Sequence, residues 1–174
     1  QGWALFVDGD VLFRGDVADL FALADDRYAV MVVQHPPFTP APHAGLPVLK
    51  KDGHVQLAYP RKNWSSVMLF NCGHPAHQAL TLDALNTWPG RDLHAFTWLS
   101  DDLIGALPST WNYLVGVALH PIGASESDIQ LVHYTLGAPN LSAHRYDHFA
   151  EEWEAVARQA GFGRLPLGRP RRQP

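Results

Sequence analysis

Trp3-Ala4-Leu5-Phe6-Val7-Asp8-Gly9-Asp10-Val11-Leu12 is the stretch on which the reading of this chain turns. Five apolar residues in a row read as a buried strand, and Asp and Gly end it in a turn. Two carboxylates then stand two residues apart at the carboxyl end of that strand, where open α/β sheets place their ligand crevice. Like charges at that spacing repel unless a cation holds them. Asp8 and Asp10 are therefore candidate ligands for a divalent metal that prefers oxygen donors. The plainer alternative is a solvated Asp-Gly turn, since both residues are common turn formers.

Working outward, Asp16 is placed to cap a short amphipathic helix carrying Leu20, Phe21 and Leu23. Further strands are expected at 28–33, 55–59, 66–71, 112–117 and 129–134. Helical spacing is expected at 80–88, 92–99, 103–107 and 147–160, with Gly161 ending the last. Two connections, 34–53 (holding His35 and His43) and 119–128, exceed the usual loop length and are candidate lids or acceptor loops. The order is α/β with an irregular, aromatic-rich second half.

The 174 residues suit one domain, and 47% hydrophobic with 17% charged residues describes a globular chain. A net charge of −4 leaves no electrostatic footprint for nucleic acid. The basic cluster Arg164, Arg169, Arg171 and Arg172 falls in a Pro-rich stretch, 164–174, that reads as a solvated tail. One cysteine, Cys72, rules out an internal disulfide and suits a reducing compartment, so the expected location is cytoplasmic. No apolar stretch approaches the ~20 residues of a membrane span. The chain opens two residues before a core strand. Residues 1–163 are accordingly expected to form the carboxyl-terminal part of a larger catalytic domain.

His133 ends the run Ile129-Gln130-Leu131-Val132 and could complete a metal site begun by the two carboxylates. That ligand mixture suits Mn²⁺ or Mg²⁺ more than zinc. A strand-end His held by a structural hydrogen bond is the alternative. Tyr59-Pro60-Arg61-Lys62-Asn63-Trp64-Ser65-Ser66 concentrates aromatic, basic and amide groups. Such a mixture fits carbohydrate, with ring faces for C–H surfaces and fixed donors for hydroxyls. Trp64 reads equally well as a core anchor.

The segment from Ala4 to Phe21 resembles family 8 glycosyltransferases, the glycogenin and galactosyltransferase type. So do Val67-Met68-Leu69-Phe70-Asn71-Cys72-Gly73, the Asp101-Asp102 to Trp111-Asn112 stretch, and Val132-His133-Tyr134-Thr135-x-Gly137-x-Pro139. The resemblance implies a GT-A-like α/β fold lacking its amino-terminal nucleotide-binding βαβ units. It implies a metal on Asp8, Asp10 and His133, Gly137 at the diphosphate and Asn71 in the sugar pocket. Asp101 and Asp102 would steady the sugar's cationic face. Ala138 and Asn140 stand where that family has Lys and Trp, and Lys62 or Arg61 would supply the lost cation.

The implied reaction is retaining transfer of a hexose from a nucleotide diphosphate sugar, a UDP-sugar by the same resemblance, to a hydroxyl acceptor. Such transfer passes through an oxocarbenium-like state while negative charge grows on the departing diphosphate. Asp8-x-Asp10-Val11-Leu12 also resembles the first motif of haloacid-dehalogenase-type phosphohydrolases. There Asp8 would be the nucleophile and Asp10 the acid/base, with Lys62 and Ser66 loosely filling the remaining slots. A third reading is a sugar- or nucleotide-binding relic without catalysis.

Overall fold

A computed structural model describes residues 2–37, 60–117 and 125–162. The expected strand at 55–59, His43, the basic tail and much of the two long connections lie outside the described residues.

Among the described residues, seven strands form two sheets. The first holds β1 (Trp3–Val7), β3 (Val30–Val32), β4 (Val67–Asn71) and β5 (Ile104–Ala106) in the order β1-β4-β3-β5. The second holds β2 (Val11–Phe13), β6 (Tyr113–Leu114) and β7 (Leu131–His133) in the order β2-β7-β6. Side chains alternate across each sheet, so each face meets its own apolar cluster. Leu5, Val7, Met31, Val67 and Leu69 turn inward against Leu20, Trp111 and Leu131 of the second layer. Val30, Val32 and Ile104 face the other way, onto Phe96 and Leu99. Leu12, Tyr113 and Val132 cover the far side of the second sheet with Phe149 and Trp153.

Among the described residues there are four α-helices: α1 (Val17–Phe21), α2 (Leu82–Thr87), α3 (Gly90–His94) and α4 (Ala150–Gln159). Asp16 caps α1 through its carboxylate, which accepts from the Ala18 N–H at 2.9 Å, and Leu20 is fully buried. Gly161 follows α4 with a φ of +81°, as the capping argument requires. The helix expected at 92–99 is shorter, because Phe96 takes a left-handed φ of +53° and breaks it.

The helix expected at 103–107 is instead strand β5. A Cβ on Gly105 would stand 2.6 Å from the Tyr28 ring and 2.8 Å from Met31. The backbone therefore lies flat against its neighbours beside β3, where only a glycine passes. Five residues cannot separate the two periodicities, and burial decides for the strand.

Strand direction positions the site. β1 and β3 both run antiparallel to β4, and β5 runs parallel to β3. The end of β1, the end of β3 and the start of β4 therefore share one edge, where the Asp8 N–H donates to the Ser66 carbonyl at 2.9 Å. At the opposite edge the Asn71 N–H bonds the Ala29 carbonyl and the Ala29 N–H bonds the Leu103 carbonyl, both at 2.9 Å.

Candidate metal centre

Asp8-Gly9-Asp10 is the crossing from the first sheet to the second. Asp8 follows β1, and Asp10 precedes β2, whose Val11 pairs with His133 of β7. The Tyr134 N–H donates to the Asp10 carbonyl at 2.9 Å and fixes the turn beside that strand. The His133 Nε2 consequently lies 3.3 Å from Asp10 Oδ1 and 3.8 Å from Asp8 Oδ2. One donor atom from each of the three residues falls within 4.8 Å of the others. Residues more than a hundred apart in sequence thus converge as the strand-end argument expects.

The hydrogen bonds behind His133 decide what its Nε2 offers. Ser66 Oγ donates to the Asn63 carbonyl at 2.7 Å, so its lone pairs accept from Asn112 Nδ2 at 2.9 Å. That turns Asn112 Oδ1 toward His133 Nδ1, 3.1 Å away. Nδ1 therefore carries a hydrogen, and Nε2 is the ring atom that faces the two carboxylates. Two carboxylates and an imidazole nitrogen directed at one point could hold a divalent cation, and the far ring nitrogen has the hydrogen-bonded partner that metal-binding histidines have.

Burial raises the Asp8 carboxyl above its usual range and the Asp10 charge adds to this, while His133 and His94 pull it down. Asn112, fully buried, was missing from the expected site. Trp111-Asn112 closes one of the stretches that carry the resemblance, but the resemblance gives Asn112 no role. Asn112→Ala is expected to weaken Mn²⁺ binding by ~10–100-fold, the usual cost of losing such a partner. Titration calorimetry reads this directly, and an unchanged affinity would disprove the supporting role.

The other expected residues fall elsewhere. Asn71 ends β4 at the edge opposite Asp8. Its amide bonds the Tyr28 carbonyl and the Gly73 N–H, both at 3.3 Å. Because β4 is antiparallel to β1, the turn just before β4 (Trp64–Ser66) is what adjoins Asp8, through the bond from the Asp8 N–H to the Ser66 carbonyl. Asp101 and Asp102 form a 3-10 turn that leads into Leu103 at the same far edge. Asp101 is 91% exposed and ion-paired with Arg61. The structure does not bring Asn71, Asp101 or Asp102 to the trio.

Arg61 is occupied structurally, donating to the Ala95 carbonyl at 2.6 Å and the Phe96 carbonyl at 3.2 Å as well as to Asp101. Trp64 is an anchor: it packs on the cluster around Phe96, and its Nε1 donates to the His35 carbonyl at 2.9 Å. Lys62 is buried between two left-handed residues, Arg61 (φ +55°) and Asn63 (φ +65°). Such backbone costs ~1–3 kcal/mol for a residue like Arg and clusters at working sites. Gly137 has a φ of +140°, and a Cβ there would sit 2.6 Å from the buried His144 ring. Ser66, a residue the phosphohydrolase reading needs, has its hydroxyl committed to Asn63 and Asn112.

His35 and His94 also belong to this end of the molecule. Burial, and then the charge of His133, push the His35 imidazole down from its ordinary 6.5 to about 4. An unfolded chain protonates this group below about 6.5, whereas the folded one resists until about 4. Its contribution to stability is present above the higher value and lost as pH falls between the two. The full loss is roughly 3 kcal/mol. Urea melts at pH 7 and pH 4.5 should show His35→Gln losing less stability on acidification than the parent. An identical loss in both would contradict the assignment.

No family model matches the chain. Over 153 residues it is 44% identical to Protein CDI of Arabidopsis thaliana, a match covering 88% of this chain and 57% of that protein. The chain thus spans little more than half the length of that curated relative. Among solved structures, it is similar to the apo structure of the WbbM bifunctional glycosyltransferase. There the TM-score is 0.58 at 14% identity, covering 90% of this chain and 33% of that one. A match to the LgtC active-site mutant Q189E, at a TM-score of 0.43 and 12% identity over 91% of this chain and 62% of that one, is too loose to carry weight. The shared fold is the α/β, GT-A-like arrangement that the sequence leads one to expect. No helix among the described residues is long and apolar enough to cross a membrane.

Proposed function

We propose that this protein is a metal-dependent glycosyltransferase, moving a hexose with retention from a nucleotide diphosphate sugar, a UDP-sugar, to a hydroxyl acceptor. The observation that carries this reading is the convergence of Asp8, Asp10 and the His133 Nε2 at a strand-end crevice. The glycosyltransferase-like fold around them supports it. A divalent cation held by the three would supply Lewis-acid stabilisation to the leaving diphosphate.

The chain's own residues do the rest. Asn112 and Ser66 hold the His133 ring so that its Nε2 faces the carboxylates. The His133 ring, 2% exposed, is shielded from water, and the tight crossing fixes the separation of the two carboxylates. Gly137 lies four residues beyond His133, on the loop that leaves the trio beside Asp10, where the resemblance places the diphosphate; its own N–H is bonded to the Tyr134 carbonyl at 2.7 Å.

The test is UDP release by the complete protein supplied with UDP-glucose or UDP-galactose and Mn²⁺. Turnover is expected to stop with chelator and return with added Mn²⁺. The absence of both UDP release and Mn²⁺ binding under all of these conditions would refute the reading.

A further inference from the structure

Between the edge strand β2 and α4 lies a cavity of about 310 Å³ that none of the roles above uses. Phe13 ends β2 and Arg14 follows it, while Ser127 and Gln130 come from the segment that leads into β7. Glu152 and Val156 stand one turn apart on α4 and so share a face. The volume is at the small end of the range for small-ligand pockets. Asp10 and His133 lie three residues back along the strands from Phe13 and Gln130, ~10 Å at the rise of a strand, so the cavity is separate from the metal centre.

The lining is polar but electrically neutral. Arg14 is the one cation among the described lining residues, and its charge is spent. Its Nε donates to Glu152 Oε2 at 2.9 Å, its Nη1 to the Glu126 and Ile129 carbonyls at 2.6 and 2.8 Å, and its guanidinium lies 4.7 Å from the centre of the Phe149 ring. A phosphate or carboxylate ligand would find no uncompensated charge. Glu152 Oε1, the Gln130 amide and the Ser127 hydroxyl offer acceptors and donors for hydroxyls. Gln130 Nε2 donates to the Asp128 carbonyl at 3.0 Å, and this lays the amide over Gly15, where a Cβ would stand 1.9 Å from its Oε1. Phe13, 37% exposed, and Val156, 47% exposed, add apolar surface. An apolar ring beside neutral polar groups matches a sugar, which has a C–H face and a rim of hydroxyls. A peptide strand pairing with β2 is the rival occupant, but β2 is only three residues long and would give it a short ladder.

We propose that this cavity is a second carbohydrate site, which holds one neutral sugar residue by packing on Phe13 and hydrogen bonds to Glu152, Gln130 and Ser127. It needs neither metal nor nucleotide, so it stands apart from the transferase reading. The experiment records amide NMR spectra of the complete protein with methyl glucoside, methyl galactoside, glucuronate or glucose 6-phosphate, in the absence of metal and nucleotide. The neutral glycosides are expected to shift the amides of residues 12–15, 127–130 and 152–156, with a Kd in the millimolar range. The two anions should bind no more tightly than the glycosides. Phe13→Ala should weaken binding roughly tenfold by removing the ring. Gly15→Ala, which displaces the Gln130 amide and alters no charge, should weaken it several-fold. The variants' own spectra show that each is folded, and the loss in Gly15→Ala carries the test if Phe13→Ala is not. Unshifted spectra with both glycosides, or parent-like affinity in the folded variants, would overturn the proposal. Tighter binding of the anions would overturn it too, by showing that Arg14 keeps a free charge. A failure to release UDP would bear on the transferase reading alone.

Discussion

Replacing Asp10 with Asn is expected to weaken Mn²⁺ binding by more than the ~10–100-fold that removal of a supporting partner costs. It should also abolish metal-dependent turnover. The amide keeps the shape of the carboxylate, and the backbone bond from Tyr134 to the Asp10 carbonyl does not involve the side chain. The fold is therefore untouched. Without metal the variant should melt no lower than the parent, because the repulsion between Asp8 and Asp10 is gone. Only the rise in melting temperature on adding Mn²⁺ should disappear. A structural Asp-Gly turn predicts the opposite pattern, with no metal response in either protein. Calorimetry and thermal melts of the pair, with and without Mn²⁺, separate the two.

Gly137→Ala should produce the second large effect, on stability. A φ of +140° is strained for any residue with a side chain, and the new methyl would lie 2.6 Å from Cδ2 and Nε2 of His144. His144 cannot easily retreat, being 1% exposed with its Nδ1 bound to Asp147 at 2.7 Å. Backbone strain of ~1–3 kcal/mol and overpacking of similar size together give about 2–5 kcal/mol. For a chain of this size that lowers the melting temperature by roughly 5–15 °C. Adding His144→Ala removes the clash but not the strain, so the double variant should recover part of the loss. If the two substitutions were simply additive, the close approach of ring and glycine would not be the cause.

The parts of the site legible in the sequence were those carried by local pattern. An apolar run ending in Asp-x-Asp, an N-cap Asp before Leu20 and a His closing a β-branched strand each declare themselves within a few residues. Strand direction is not local. The resemblance alone assigns Asn71 to the sugar pocket, but antiparallel pairing with β1 puts Val67, and Ser66 just before it, beside Asp8. The resemblance alone likewise assigns Asp101 and Asp102 to the sugar, whereas the turn they form enters β5 at the edge opposite Asp8. Asn112 is significant only because Ser66, in the turn before β4, orients its amide. Gly105 reads as a neutral residue in a short apolar run until the Tyr28 ring is known to lie against it.

The crossing at Asp8-Gly9-Asp10 has a thermodynamic consequence. Asp8 is anchored to the four-stranded sheet, whereas Asp10 and His133 belong to the three-stranded one. A cation bound by all three would act as a rivet through the seam between the sheets. Free Mn²⁺ at a hundred times its dissociation constant adds about 2.7 kcal/mol to folding. Because the ligands straddle the seam, that increment resists separation of the two sheets. Amide hydrogens along β2 and β7 should therefore exchange more slowly in Mn²⁺, while those of α2 and α3 hardly change. Conversely, a substitution that loosens the docking of the sheets would weaken metal binding without touching a ligand, making cation affinity a gauge of how firmly the two layers are joined.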